Sequence, residues 1–114
     1  MIKLLVFIQK LPSISSDDFR TYYETHHVPL INSLLPMYAG YKRNYLHHST
    51  IANGAERLWD VVTELFFANE ADYARWIDAL SDPNIIARIR EDEAQFLLSS
   101  ATQIWTVYET GTQP

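Results

Sequence analysis

The sequence predicts an α+β domain with a four-stranded antiparallel sheet, its elements running strand, helix, strand, strand, helix, strand. Three observations carry this expectation. β-Branched and aromatic runs bounded by polar, Gly or Pro residues recur at 2–9, 41–47, 58–67 and 101–108. The stretches after the first and third of these runs show helical apolar spacing behind a capping signature. The chain has 114 residues, 47% hydrophobic and 13% aromatic, which suits one globular domain with a core of its own and no second domain. Residues 1–109 are read as that domain and 110–114 as a short polar tail.

The first run, Ile-Lys-Leu-Leu-Val-Phe-Ile-Gln, is closed by Pro12 and reads as a strand buried on both faces. Ser15 then caps a helix with Asp18 three residues on, and Ile14 and Phe19 stand at the positions of a hydrophobic staple. A regular helical period puts Tyr22, Tyr23, His26 and Leu30 on one broad face, and Pro29 is expected to end or kink the helix near His27. Gly40 opens the second strand, and Asn53-Gly54 lies in the polar link to the third, so the two form a long hairpin. Asn69 and Asp72 repeat the capping signature ahead of Tyr73, Trp76, Ile77 and Leu80, spaced i, i+3, i+4, i+7. Pro83 starts a further helix with Ile85, Ile86, Ile89, Phe96 and Leu97 as its apolar side, leading to the last strand. This order is the ferredoxin-like βαββαβ arrangement.

A sheet has two faces, and helices on one side cover only one of them. The third strand carries Trp59, Val61, Leu65 and Phe67 opposite Asp60, Val62, Glu64 and Phe66. A second copy packed sheet to sheet against the apolar Trp59, Val61, Leu65, Phe67 side would bury it, which predicts a homodimer.

Composition excludes several function classes. A net charge of -5 without any Lys/Arg cluster opposes nucleic-acid binding. No cysteine is present for a disulfide, a thiolate nucleophile or an iron–sulfur site. The apolar opening run is too short to span a membrane and lacks a cleavage signature, so no membrane association and a cytoplasmic location are expected. The 3 glycines are scattered, which disfavours a nucleotide cofactor, and no nucleophile-elbow motif is present. His47-His48 brings the histidines to 4, but neighbours on a strand point to opposite faces and no ligand spacing accompanies them, so no metal site is expected.

The segment Phe19-Arg20-Thr21-Tyr22-Tyr23-Glu24-Thr25-His26-His27-Val28-Pro29-Leu30 resembles the F-R-x-Y-(W/Y)-x-x-x-H-x-P-L pattern that ends the first helix in the EthD family of dimeric α+β barrel proteins. Asp60-Val61-Val62-Thr63-Glu64-Leu65-Phe66-Phe67 is similar to that family's strand with an acidic residue shortly before an aromatic pair. The resemblance implies a dimeric barrel with a cofactor-independent pocket between helices and sheet. Reactions among such proteins and their isomerase and aromatic polyketide cyclase relatives differ widely, so reaction type remains an analogy.

Histidine chemistry suits such a pocket, since a near-neutral imidazole passes protons to and from a carbon acid or a phenol. Helical spacing favours His26, whereas the family pattern falls on His27, which is taken first. Alternatively both rings only complement the negative end of the helix dipole. Asp60 is a candidate to orient a histidine. On a strand it shares a face with Glu64, roughly 13 Å away; alternatively the two pair with Lys3, Lys42 or Arg43. Tyr22, Tyr23, Glu64 and Phe66 are the expected binding residues, the tyrosines as aromatic walls carrying a phenol. The expected activity is histidine-assisted proton transfer on a small cyclic or aromatic substrate: isomerisation, cyclisation, decarboxylation or cofactor-free oxidation. A non-catalytic accessory dimer serving an oxidation pathway is the alternative, and a haem-degrading or quinol-type monooxygenase on the same barrel is a third.

Overall fold

The computed structural model describes residues 1–47 and 57–113. The Asn53-Gly54 turn and His48 lie outside the described residues. Strand β1 (Ile2–Ile8) pairs with β3 (Val61–Phe67) on one side and β4 (Gln103–Val107) on the other, and β2 (Gly40–Tyr45) pairs with β3. All three pairings are antiparallel and the sheet order is β2-β3-β1-β4, the ferredoxin-like topology the element order predicts.

Helix α1 (Ser16–Tyr22) starts where expected, with the Ser15 hydroxyl accepting from the Asp18 amide at 3.1 Å. Pro29 does not end the helical run. The chain passes through a π turn (Tyr23–His27), closed by the Val28 amide donating to the Tyr23 carbonyl, and continues as α2 (Val28–Leu34) with Pro29 in its first turn. Proline has no N–H to give and its ring crowds the carbonyl four residues back, and the wider turn accommodates both defects. It also re-aims the helix. Phe19, Tyr23, His27, Ile31 and Leu35, each four residues apart, are all at most 7% exposed. A uniform α-helix drifts about 40° per four-residue step, and the π turn winds part of that back. This corrects the face expected from a regular period, because His26 and Tyr22 are displaced from the inner row by His27 and Tyr23.

Helices α3 (Glu70–Leu80) and α4 (Pro83–Glu93) follow β3, capped by the side chains of Asn69 and Asp82. They and α1–α2 lie on one sheet face, that of Leu4, Ile8, Val61, Thr63, Leu65 and Phe67, all nearly inaccessible. Phe67 packs edge-on against Tyr73 and Trp76 of α3, with ring centroids 5.2 and 5.4 Å away. The face assigned from sequence to a second copy is therefore covered by the chain's own helices. Their apolar stripes take the most apolar side of the sheet, since that removes the most surface from water. Trp59 is not on that side: the strand begins only at Val61, and the indole packs on Phe7, ring centroids 5.5 Å apart. The uncovered face carries Lys3, Leu5, Phe7, Val62, Glu64 and Phe66, with Trp105 of β4 57% exposed. Among the described residues no helix is long and apolar enough to cross a membrane.

Candidate functional site

Between the helices and the covered sheet face lies a cavity of about 350 Å³. Its floor is formed by strand residues such as Val6, Tyr41, Thr63 and Leu65, and its roof by the π turn, α3 and α4. Most of the wall is aliphatic or aromatic. The polar groups in it are therefore the informative part: His27, Tyr23, Tyr41, Thr63, Trp76, Arg90, Glu93, Ser99 and Thr102 among the lining residues.

His27 is 6% exposed. Its Nδ1 lies 2.6 Å from Oδ2 of Asp92, near the end of α4, and Oδ1 of the same carboxylate accepts the Tyr22 hydroxyl at 2.8 Å. Burial lowers the His27 pKa more than Asp92 raises it, so the ring is neutral at physiological pH. A neutral ring that donates Nδ1–H to Asp92 carries its lone pair on Nε2, the arrangement of a base oriented by a carboxylate. Phe96 and Tyr23 flank the ring, each centroid at 5.1 Å, and hold its plane. Burial and the Asp92 contact push the Tyr22 phenol up to about 12, so it remains a donor.

A second polar chain crosses the cavity floor. Tyr41 donates to the Tyr23 hydroxyl at 3.0 Å, and that oxygen lies 2.7 Å from the Thr63 hydroxyl. Burial raises the pKa of both tyrosines, so they act as neutral hydrogen-bonding groups. Arg43 stacks over Tyr41 and pairs with Glu24, which also accepts from Tyr45 and thereby ties β2 to the π turn. Glu93 lines the cavity with its carboxyl pKa raised, first by burial, and the Trp76 indole N–H is buried without an acceptor among the described residues.

Of the residues expected from sequence, the structure brings His27 and Tyr23 together at the cavity. His26 is exposed and stacks on Tyr22, centroids 4.7 Å apart, on the outer side of the helix. Tyr22 reaches the site only through Asp92. Asp60 lies before β3 begins, where it accepts the Lys10 amide at 2.8 Å and pairs with Arg57. Glu64 and Phe66 are on the uncovered face: Glu64 pairs with Lys3 at 2.8 Å, and the Phe66 ring lies beneath the ammonium groups of Lys3 and Lys42. Sequence reasoning did not find Asp92, Glu93, Tyr41, Thr63 or Trp76. The run Asp92-Glu93 at the end of an apolar helix was the one local signal. Among the described residues no group of three or more His, Cys, Asp or Glu is placed to hold a metal ion.

Comparison with known proteins gives one family and several solved structures of like fold. The EthD domain model matches residues 11–100. An ethyl tert-butyl ether d (EthD) family protein from Bacillus halodurans C-125 superposes with a TM-score of 0.65 at 16% identity, covering 96% of this chain and 100% of that one. HapK from Hahella chejuensis gives 0.66 at 10% identity, covering 100% and 97%. A dimeric protein of unknown function with a ferredoxin-like fold from Bacteroides fragilis NCTC 9343 gives 0.54 at 12% identity, covering 96% and 95%. At such identities these likenesses speak for the fold alone. No curated protein matches the sequence.

Proposed function

The chain belongs to the EthD family, and from that premise we propose that it is a small-molecule enzyme in which His27, oriented by Asp92, transfers protons on a small cyclic or aromatic substrate. The observation that carries this reading is the 2.6 Å contact between Nδ1 of His27, at the wall of a largely aliphatic and aromatic cavity, and the Asp92 carboxylate. A histidine that merely complemented a helix end would need neither a buried carboxylate nor a cavity. About 350 Å³ is at the lower end of ligand sites, roughly 300–1,000 Å³, and suits a compact ring rather than a nucleotide. Asp92 takes the orienting role that Asp60 was expected to fill.

The working unit in this reading is a homodimer, in keeping with the dimeric relative of like fold. The interface is the uncovered sheet face, where Leu5, Phe7, Val62, Phe66 and Trp105 present apolar surface with no helix over it among the described residues. Sheet-on-sheet packing buries such a face without disturbing the cavity side.

Ring compounds that raise the melting temperature identify ligands, and turnover of the hits tests the chemistry. His27→Ala should lower turnover by about 10²–10⁴-fold with the far-UV circular dichroism unchanged, while His26→Ala leaves it near wild type. The wild-type rate should fall as pH drops through the His27 pKa, which burial holds below the ordinary value of 6.5. Full turnover in both variants refutes the assignment.

A further inference from the structure

Glu93 is the anomaly of the cavity. Among the described residues, the other half-buried carboxylates all have side-chain partners: Glu24 with Arg43, Asp60 with Arg57, Glu64 with Lys3, Asp72 with Arg75 and Asp92 with His27. Glu93, equally half-buried, has no side-chain hydrogen bond or ion pair among the described residues, although it shares a cavity wall with Ile86, Ile89 and Leu97. With the charge of Arg90 nearby but no direct side-chain partner among the described residues, the Glu93 carboxyl is open to a molecule in the cavity, whereas a structural carboxyl would be engaged as the other five are. Its one-residue offset from Asp92 puts the two on different sides of α4, so that one holds His27 while the other lines the cavity.

Resting on the His27 reading, we infer that Glu93 is a second proton-handling residue of the cavity, serving the carbonyl oxygen of an enolisable ring ketone while His27 serves the carbon beside it. The step balances within these groups. His27 Nε2 takes the proton from the α carbon, and the C–H electron pair becomes the C=C bond of the enol. The carbonyl π pair takes the proton of the Glu93 carboxyl, leaving imidazolium and carboxylate. In the reverse sense the enol hydroxyl returns its proton to Glu93, and the imidazolium protonates the same carbon or a conjugated one, which shifts the double bond without any co-reactant. Burial supports the role by raising the Glu93 carboxyl pKa, which the charge of Arg90 opposes and that of Asp92 reinforces. Two groups whose surroundings shift their pKa values in opposite senses, the imidazole down and the carboxyl up, are the usual arrangement for paired acid and base work.

The test is deuterium exchange at the saturated carbon beside the carbonyl (C6) of cyclohex-2-enone in D₂O, followed by proton NMR, for the wild type and for Glu93→Gln and His27→Ala. The expected result is exchange above buffer in the wild type, background exchange in His27→Ala, and a loss of about 10²-fold or more in Glu93→Gln, whose amide still donates a hydrogen bond but no proton. Among the described residues, the titratable groups that line the cavity with Glu93 are His27 and Tyr23 of the π turn, Tyr41 of β2 and Arg90 of its own helix, and Asp92 acts on it from the adjacent position. The alkaline fall in wild-type rate should be absent from Glu93→Gln, since none of these others is altered. Full exchange in Glu93→Gln with none in His27→Ala overturns the inference and spares the His27 reading. Exchange indifferent to His27→Ala overturns the reading itself, and no wild-type exchange overturns the ring-ketone assignment. Should Glu93→Gln not fold, ¹³C NMR titration of the wild-type Glu93 carboxyl decides: a midpoint at or below that of the exposed glutamates overturns the inference.

Discussion

Replacing Asp92 with asparagine removes one charge while nearly preserving shape. The carboxylate accepts both the His27 Nδ1–H and the Tyr22 hydroxyl, at 2.6 and 2.8 Å, with the Asp92 side chain 11% exposed. An asparagine amide offers a single oxygen, so one of the two bonds is lost or the His27 tautomer inverts. Hydrogen bonds to charged groups are worth about 1.5–3 kcal/mol, so one such loss should lower the melting temperature by roughly 5–15 °C in a domain of this size. The carboxylate is also what opposes burial at His27, so without it the ring pKa, already below 6.5, falls further. A histidine with a depressed folded pKa stabilises fully above its unfolded value, and that contribution is lost as pH falls through 6.5 toward the folded value. In Asp92→Asn the loss should begin at the same pH and continue further into acid. Thermal melts from pH 8 to pH 5, paired with NMR titration of the His27 ring, measure both effects. An unchanged melting temperature together with an unchanged His27 midpoint would refute the orienting role of Asp92.

Three further outcomes test the fold around the site. Phe67→Ala should destabilise by about 3–5 kcal/mol in denaturant titration, because the fully buried ring packs against Tyr73 and Trp76 of its own chain; a loss under 1 kcal/mol contradicts the helix-covered assignment of that sheet face. Phe7→Asp on the opposite face should shift sedimentation from dimer to monomer with the helical signal retained, whereas a dimer of wild-type affinity places the interface elsewhere. At Gly40 an added Cβ would lie 3.1 Å from Cδ2 of Phe66, a ring pinned beneath Lys3 and Lys42, so Gly40→Ala should lower stability by about 1 kcal/mol, and the pair Gly40→Ala with Phe66→Leu should recover part of it.

Most of the chain's organisation was legible from local chemistry. Ser15 and Asn69 announced two helix starts because a capping oxygen and the amide it satisfies are three residues apart in any structure. The apolar runs marked β1, β2, β3 and β4 to within two or three residues at each end, and their alternation with helices carried the sheet topology. His27 was reached through the family pattern, whereas a uniform helical period pointed to His26. The four-residue spacing of Phe19, Tyr23, His27, Ile31 and Leu35 was present to be read, yet it indicates one inner face only when a π turn intervenes, and that depends on how the helix packs.

Choices between equivalent local patterns were decided by tertiary structure. Both faces of β3 carry apolar side chains, and which face the helices took followed from the total apolar area removed from water, a sum over the whole domain. Asp92 stands 65 residues from His27, and Thr63 40 residues from Tyr23, so no period or spacing in the sequence could join either pair. That Glu93 lines the cavity without a side-chain partner among the described residues is likewise a property of the fold. Sequence sets what each segment becomes because capping and alternation act over a few residues; the site arises from groups distant along the chain that burial brings into contact and whose protonation it then shifts.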